Sequence, residues 1–169
     1  MAVKSLIETI TVGAGGATSM LFDNIPNDLG QDLVLLISSR SSVNADHNAG
    51  WIKFNGSATD PAARILASFD GATPISISWR YTQRINGGTS TANTFSNTSI
   101  YISNYASSAT KSYSSDVVTE NNSANTSLML TAGTWAVTDP ITSLEVISHS
   151  STSPYVQHTT ASLYKIKYD

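Results

Sequence analysis

Cysteine is absent from the 169-residue chain, and charged residues make up only 12% of it. Without cysteine, the protein has no disulfide, no thiolate nucleophile and no cysteine-based metal site. The formal net charge is −3, and the nine Lys and Arg residues are scattered along the chain. No basic patch is present that would neutralise several phosphates, so we expect no nucleic-acid partner.

Long apolar runs are also missing. No stretch approaches the roughly 18 apolar residues of a membrane span, and the N-terminal residues lack the apolar region of a secretory signal. We therefore expect no membrane association and no signal peptide. Ser, Thr and Asn make up about a third of the chain, and 40% of it is hydrophobic. That apolar content is enough for the core of a folded protein, and the length predicts a single domain over residues 1–169.

Period-two alternation is the dominant pattern and predicts β-strands. In "ISISWRYT", Ile75, Ile77, Trp79 and Tyr81 share one face, so Trp79 is predicted to lie in the core. Turn signals recur every dozen or so residues, which favours an all-β fold over α/β units. We predict an antiparallel β-sandwich, jelly-roll-like, with residues 1–9 as an arm or an edge strand. The turn signals are Asn55-Gly56, Asp70-Gly71, Asn86-Gly87-Gly88 and Ala132-Gly133.

Two segments have further consequences for the fold. Asp60-Pro61 has the N-cap and first-position proline of a short helix, but "ARILASF" after it fits a strand equally well, and both alternatives remain open. The segment "DLVLLISSR" is apolar on both faces through Leu36. We therefore expect that strand to be covered on both sides.

The glycine cluster in "TVGAGGATSMLFDNIP" raises the question of a phosphate-binding loop. A dinucleotide-binding loop needs glycine at the first, third and sixth positions and a helix after it. Counted from Gly13, the sixth position is Thr18, and the residues that follow have no helical period. A P-loop would need Gly-Lys-Ser/Thr, which the chain lacks. The pattern therefore predicts a bend between two strands.

No catalytic, cofactor-binding or metal-binding constellation is visible. His47, His149 and His158 are not at metal-ligand spacing, and only three glutamates are present. The acidic segment "DNIPNDLGQD" fails the spacing of an EF-hand loop. We expect no enzymatic activity and no cofactor.

Binding is expected instead at exposed aromatic and apolar side chains. Tyr101, Tyr105, Tyr113 and Tyr155 occur among Ser and Asn residues, and are the candidates for exposure. As candidate partner-binding residues we take two from the N-terminal segment and three of these tyrosines: Leu6, Ile7, Tyr101, Tyr105 and Tyr155.

Several segments, taken in their order along the chain, resemble those of a known group of proteins. They are "SLIETITVGAGGATSMLFDNIP", "DLVLLISSRSS", "IKFNGS", "NTSIYISNY", "KSYSSDVVTENN" and "TASLYKIKY". In this order they resemble virion structural proteins of tailed bacteriophages, of the capsid decoration (cement) and tail-fibre β-sandwich type.

The resemblance implies a structural protein on the capsid exterior that binds the major capsid protein and stabilises the shell. It also implies a homo-oligomer, and for a decoration protein we expect a homotrimer. The alternative is a tail-fibre or receptor-binding module that recognises host surface glycans. Exposed Tyr and Trp residues clustered at one end of the sandwich would favour that alternative.

Overall fold

The computed structural model describes residues 2–29, 31–57, 61–122 and 126–168, and every regular element within those ranges is a β-strand. The strands are β1 (Ala2–Thr11), β2 (Ser19–Phe22), β3 (Gln31–Ser39), β4 (His47–Phe54), β5 (Ala62–Phe69), β6 (Ile75–Ile77), β7 (Gln83–Asn86), β8 (Ser96–Ile102), β9 (Lys111–Thr119), β10 (Ser127–Trp135), β11 (Leu144–Ser148) and β12 (Thr160–Tyr168).

The strands form two antiparallel sheets. The larger sheet has eight strands in the order β1-β12-β3-β8-β9-β10-β5-β6, and the smaller has four in the order β2-β11-β4-β7. The chain crosses between the sheets at each step from β1 to β5, and it crosses again before and after β7 and before and after β11. This connectivity is that of a jelly roll in which the three-stranded meander β8–β10 replaces one strand and the hairpin β5–β6 is added at the edge beyond β10. The predicted all-β antiparallel sandwich is confirmed.

The main hydrophobic core lies between the two sheets. Phe54 of the small sheet packs against Trp135 of the large sheet, with ring centroids 5.3 Å apart. Alternate residues of the central strands point into this layer, as in β9, where buried and exposed residues alternate over nine positions. A second, smaller cluster is built from Ile65, Ala67, Val117 and Met129.

The glycine cluster forms a turn between β1 and β2, as predicted. The N–H of Gly16 donates to the carbonyl of Gly13 at 3.1 Å, and Gly16 has a φ of +70°, which glycine adopts without steric cost. The chain then enters β2 at Ser19, and no helix follows. The segment has none of the geometry of a phosphate-binding loop.

The structure distinguishes between the two alternatives after Pro61, and it corrects two other sequence-based expectations. Of the two alternatives after Pro61, the strand is found, since β5 spans Ala62–Phe69, while Asp60 lies outside the described residues. Gly133 was expected at a turn but lies within β10, where the ring of Tyr113 occupies the space of a side chain. Leu36 on β3 is exposed, so that strand is not covered on both sides.

Candidate functional site

The outer face of the eight-stranded sheet exposes a group of apolar side chains on β5, β9 and β10. Leu66, Leu128 and Leu130 are 53%, 55% and 55% exposed, and Val118 beside them is also exposed. In the strand register Leu66 lies opposite Leu130, and Val118 lies opposite Leu128, so the four side chains are contiguous. We call this group the leucine patch.

The three leucines of the leucine patch line a shallow depression. Its volume is about 330 Å³, and Ser68, Pro74 and Asp116 contribute to its lining. Contiguous exposed apolar side chains on a protein surface mark sites of interaction with another macromolecule. The depression gives such a partner a place for an apolar side chain.

Strand β10 explains why these leucines point outward. Its inward positions include Ser127 and Thr131, both buried. The hydroxyl of Thr131 donates to the carbonyl of Tyr81 at 3.2 Å, and on β9 the hydroxyl of Ser115 donates to the carbonyl of Thr82 at 2.7 Å. The carbonyls of residues 81–82 therefore accept hydrogen bonds from the inward hydroxyls of Thr131 and Ser115, and the leucines of β10 remain on the outer face.

The N-terminal candidates lie at the edge of the same sheet. Strand β1 pairs with β12, and the register shifts at a β-bulge between Leu6 and Glu8. Leu6 is exposed, while Ile7 is partly buried and packs against the main core. Edge strands expose unpaired backbone groups, so β1 is a second surface suited to contact with a partner.

The tyrosine candidates divide into exposed and buried side chains. Tyr101 is exposed on the outer face, where its hydroxyl donates to the carboxylate of Asp32 and lies 3.2 Å from the hydroxyl of Tyr168. Partial burial of the hydroxyl and these hydrogen bonds raise the pKa of Tyr101 above its ordinary value.

The expected exposure of Tyr105, Tyr113 and Tyr155 is wrong, because all three are buried. The hydroxyl of Tyr105 donates to the carbonyl of Pro26, and that of Tyr155 donates to Gln83 at 3.3 Å. Both rings belong to the main core. Fully buried rings offer no surface to a partner, so Tyr105 and Tyr155 cannot act as partner contacts without rearrangement.

A second group of side chains forms an aromatic cluster of Trp51, Trp79, Tyr81 and His149. Trp79 and His149 are exposed, and Trp51 and Tyr81 are partly buried. Ring centroids lie 5.5 Å apart for Trp79 and Tyr81, 5.4 Å for Tyr81 and His149, and 5.7 Å for Trp51 and His149. The guanidinium of Arg80 lies 4.2 Å from the centre of the Trp51 ring, within the range of a cation–π contact.

Trp79 is 49% exposed, so the prediction that it lies in the core is wrong. The physical reason is that β6 ends at Ile77. The alternation of "ISISWRYT" therefore continues in the sequence after the strand has ended. Tyr81 is partly buried against the smaller core cluster, and Trp79 belongs to neither core cluster.

Charged side chains outside these surfaces mainly fix loops. Buried Lys111 donates to three carbonyls, those of Ser107, Ala109 and Thr138, and burial lowers its pKa. His47 lies 2.8 Å from the carboxylate of Asp46, and burial lowers the pKa of that imidazole. Within the described ranges, no three His, Asp or Glu side chains are grouped so that they could hold a metal ion.

Comparisons with known proteins identify no family or relative for this chain. The chain matched no family model, no curated protein and no solved structure. Among the described residues, no helix is long and apolar enough to cross a membrane.

Proposed function

We propose that this protein is a virion structural protein of a tailed bacteriophage, specifically a capsid decoration protein without enzymatic activity. It binds the outer surface of the major capsid shell and stabilises it. The leucine patch is the observation that supports this proposal most directly. A monomer with no partner would gain solubility, at little change in stability, by placing polar residues at Leu66, Leu128 and Leu130.

The energetic contribution of the patch is large enough to matter. Covering the exposed half of one leucine stabilises a complex by about 1 kcal/mol. Because a decoration protein binds only the assembled shell, its binding raises shell stability by mass action, about 2.7 kcal/mol per site at a hundredfold excess over Kd. Repeated over the shell, this stabilisation opposes the internal pressure of the packaged DNA.

The rest of the outer face suits contacts that do not depend on ion pairs. The surface formed by β3, β8 and β12 presents hydroxyl and amide groups, among them Ser38, Asn97, Ser99, Thr160 and Ser162. Such groups form hydrogen bonds that salt does not screen. We therefore expect capsid binding to change little between low and physiological ionic strength. A closed homotrimer is the assembly we propose, since cyclic symmetry is common among homo-oligomers.

Binding to capsids tests this proposal. Capsids assembled without the protein are mixed with wild-type protein and with the Leu128→Ser/Leu130→Ser variant, and bound protein is measured by co-sedimentation. The matched control is Ser112→Ala/Ser114→Ala, which alters the neighbouring strand on the same face. We expect the wild type and the control to bind and to raise the capsid disruption temperature, and the leucine variant to do neither. Absence of wild-type binding, or equal binding by the leucine variant, would contradict the proposal.

The second candidate function is a glycan-recognising module of a tail fibre. The aromatic cluster favours it, because an aromatic ring that belongs to no core is available for a ligand. Copy number in the virion separates the two functions. A decoration protein is present in many copies on the shell, whereas a tail-fibre protein is present in few.

A further inference from the structure

Arg64 at the border of the leucine patch is a charged side chain without a structural role in the fold. It is exposed on β5, two residues before Leu66 on the same face of the strand. Among the described residues it forms no hydrogen bond, ion pair or ring contact. By contrast, the guanidinium of Arg40 donates to backbone carbonyls, and that of Arg84 lies over the ring of Phe69. The guanidinium of Arg64 is therefore available to an anionic group of a partner.

Two depressions follow one another along β5 and β10 on the outer face. The first is the apolar depression, to which Leu66 and Leu130 contribute. The second has a volume of about 550 Å³, and Arg64, Ala132 and Ser112 are among the residues that line it. Leu66 and Arg64 are two residues apart on β5, and Leu130 and Ala132 are two residues apart on β10. The lining of the two depressions therefore repeats at the two-residue spacing of a strand, about 6.7 Å.

Asp116 places a charge of the opposite sign on the other side of the patch. It is exposed on β9 and lies opposite Leu130, whose neighbour on β5 is Leu66. From the spacing of strands and residues in a sheet, the Cα atoms of Asp116 and Arg64 are about 12 Å apart. The leucine patch thus has a negative side and a positive side, and this asymmetry favours one orientation of a charged partner.

We propose that the capsid segment bound by the leucine patch is an extended strand with an apolar side chain at one position and an Asp or Glu two residues away. This inference rests on the proposed function. The apolar side chain fills the first depression, and the carboxylate accepts two parallel hydrogen bonds from the guanidinium of Arg64. Side chains two residues apart in an extended segment point the same way at about 6.7 Å, which is the repeat of the two depressions. Arg64 therefore determines which segment binds, while the leucines supply the apolar contact.

The charges on this face favour a single carboxylate over a polyanion. A nucleic acid needs several cations along its path, but Arg64 is the only cation among the described residues that line the two depressions. The leucines beside it require an apolar side chain as cover. Once such a partner is bound, the leucines keep water away from the ion pair, so salt screens it little. This agrees with the weak salt dependence expected for capsid binding.

Capsid binding by charge variants tests the proposal. Capsids assembled without the protein are titrated with the wild type, Arg64→Ala and Arg64→Glu. The matched control is Lys167→Glu, which makes the same change of charge at an exposed residue of β12. We expect Arg64→Ala to bind at least about tenfold more weakly than the wild type and Arg64→Glu to bind more weakly still, while the control binds like the wild type. Arg64 is exposed, so its substitution should leave the fold intact, which circular dichroism and the denaturation midpoint check.

A zero-length cross-link identifies the partner's carboxylate. Arg64→Lys keeps the positive charge without the bidentate geometry, so its affinity should lie between those of the wild type and Arg64→Ala. A water-soluble carbodiimide activates a carboxylate, and the introduced amine then displaces the urea and loses a proton as the amide bond forms. We expect mass spectrometry to find this amide between position 64 and an Asp or Glu of the major capsid protein that has an apolar residue two positions away. Lys167, which is distant from the patch, should form no such amide.

The outcomes separate this proposal from the proposed function. Equal capsid binding by the wild type, Arg64→Ala and Arg64→Glu would overturn the carboxylate partner and leave the proposed function standing, whereas no binding of the wild type to capsids would overturn both. If Arg64→Glu abolishes self-association in analytical ultracentrifugation and leaves capsid binding unchanged, the occupant is a second copy of this chain and the proposal is wrong. A cross-link to an acidic residue without an apolar residue two positions away would overturn the proposed spacing.

Discussion

The two faces of strand β10 differ in which kinds of side chain they bury and expose. The inward face carries Met129 and Trp135 together with the buried hydroxyls of Ser127 and Thr131, whereas the outward face carries Leu128 and Leu130. Polar residues are thus buried and apolar residues exposed on one strand. The Thr131 hydroxyl donates to the carbonyl of Tyr81, so its burial is tolerated. The outward leucines gain nothing in the isolated chain, which points to a partner.

Of the substitutions on the two faces of β10, Trp135→Ala is expected to lower the stability of the protein most. The Trp135 ring is fully buried and packs against Phe54 across the sandwich. Trp135→Ala removes the ring and leaves a cavity, so we expect the free energy of unfolding to fall by about 3–5 kcal/mol. Chemical denaturation measures it. A loss below about 1 kcal/mol would show that the inward face of β10 does not hold the two sheets together.

The second-largest effect is a loss of stability at high pH, and it is expected at Tyr113 on the inward face of β9. Burial raises the pKa of Tyr113 to about 12, above the value of about 10 for an unfolded tyrosine. The unfolded state therefore releases this proton first as the pH rises. The stability that depends on the neutral hydroxyl is complete below pH 10 and is lost between about pH 10 and 12, at about 1.4 kcal/mol per pH unit.

The Tyr113→Phe variant isolates that contribution. Without the hydroxyl, its unfolding free energy should fall less steeply than that of the wild type over the same alkaline range. Among the described residues the Tyr113 hydroxyl has no hydrogen-bond partner. Its removal relieves a desolvation cost, so at neutral pH the variant should be at least as stable as the wild type. Denaturation midpoints at pH 7, 10 and 11.5 provide the comparison. Parallel pH profiles for the two proteins would contradict a raised pKa at Tyr113.

The smallest expected effect is at the outward leucines. In the isolated protein, Leu128→Ser and Leu130→Ser each change the unfolding free energy by about 0.5 kcal/mol or less, since exposed positions contribute little to stability. Chemical denaturation of the isolated variants tests this. If either substitution destabilises the isolated chain by several kcal/mol, the leucine patch has a structural role and the contrast between the two faces of β10 fails.

The sequence was a good guide to the strands and turns. Alternation predicted the all-β fold, and Asp70-Gly71 forms the positive-φ turn between β5 and β6. These features depend on a few neighbouring residues. The spacing of Gly13 to Gly16 also excluded a phosphate-binding loop, because that motif has a fixed local pattern.

The exposed surfaces were harder to predict. Alternation shows which residues share a face of a strand, but the sheet packing decides which face is covered. On β10 the leucines are more apolar than Thr131, yet the Thr131 hydroxyl faces inward and donates to the carbonyl of Tyr81. The same limit applies to Tyr105 and Tyr155, whose polar neighbours in sequence indicated exposure. Their partners, Pro26 and Gln83, are more than 70 residues away along the chain.

The absence of cysteine allows the central claim to be tested with a single thiol. In a Leu128→Cys variant, the introduced cysteine is the only thiol in the chain, and the rate of its reaction with a maleimide reports exposure of the leucine patch. Ser151→Cys, in an exposed turn, is the control. We predict that both thiols react in the free protein and that binding to capsids protects the thiol at position 128 alone. Equal reaction of the position-128 thiol in free and capsid-bound protein would contradict the claim that this face is the binding surface.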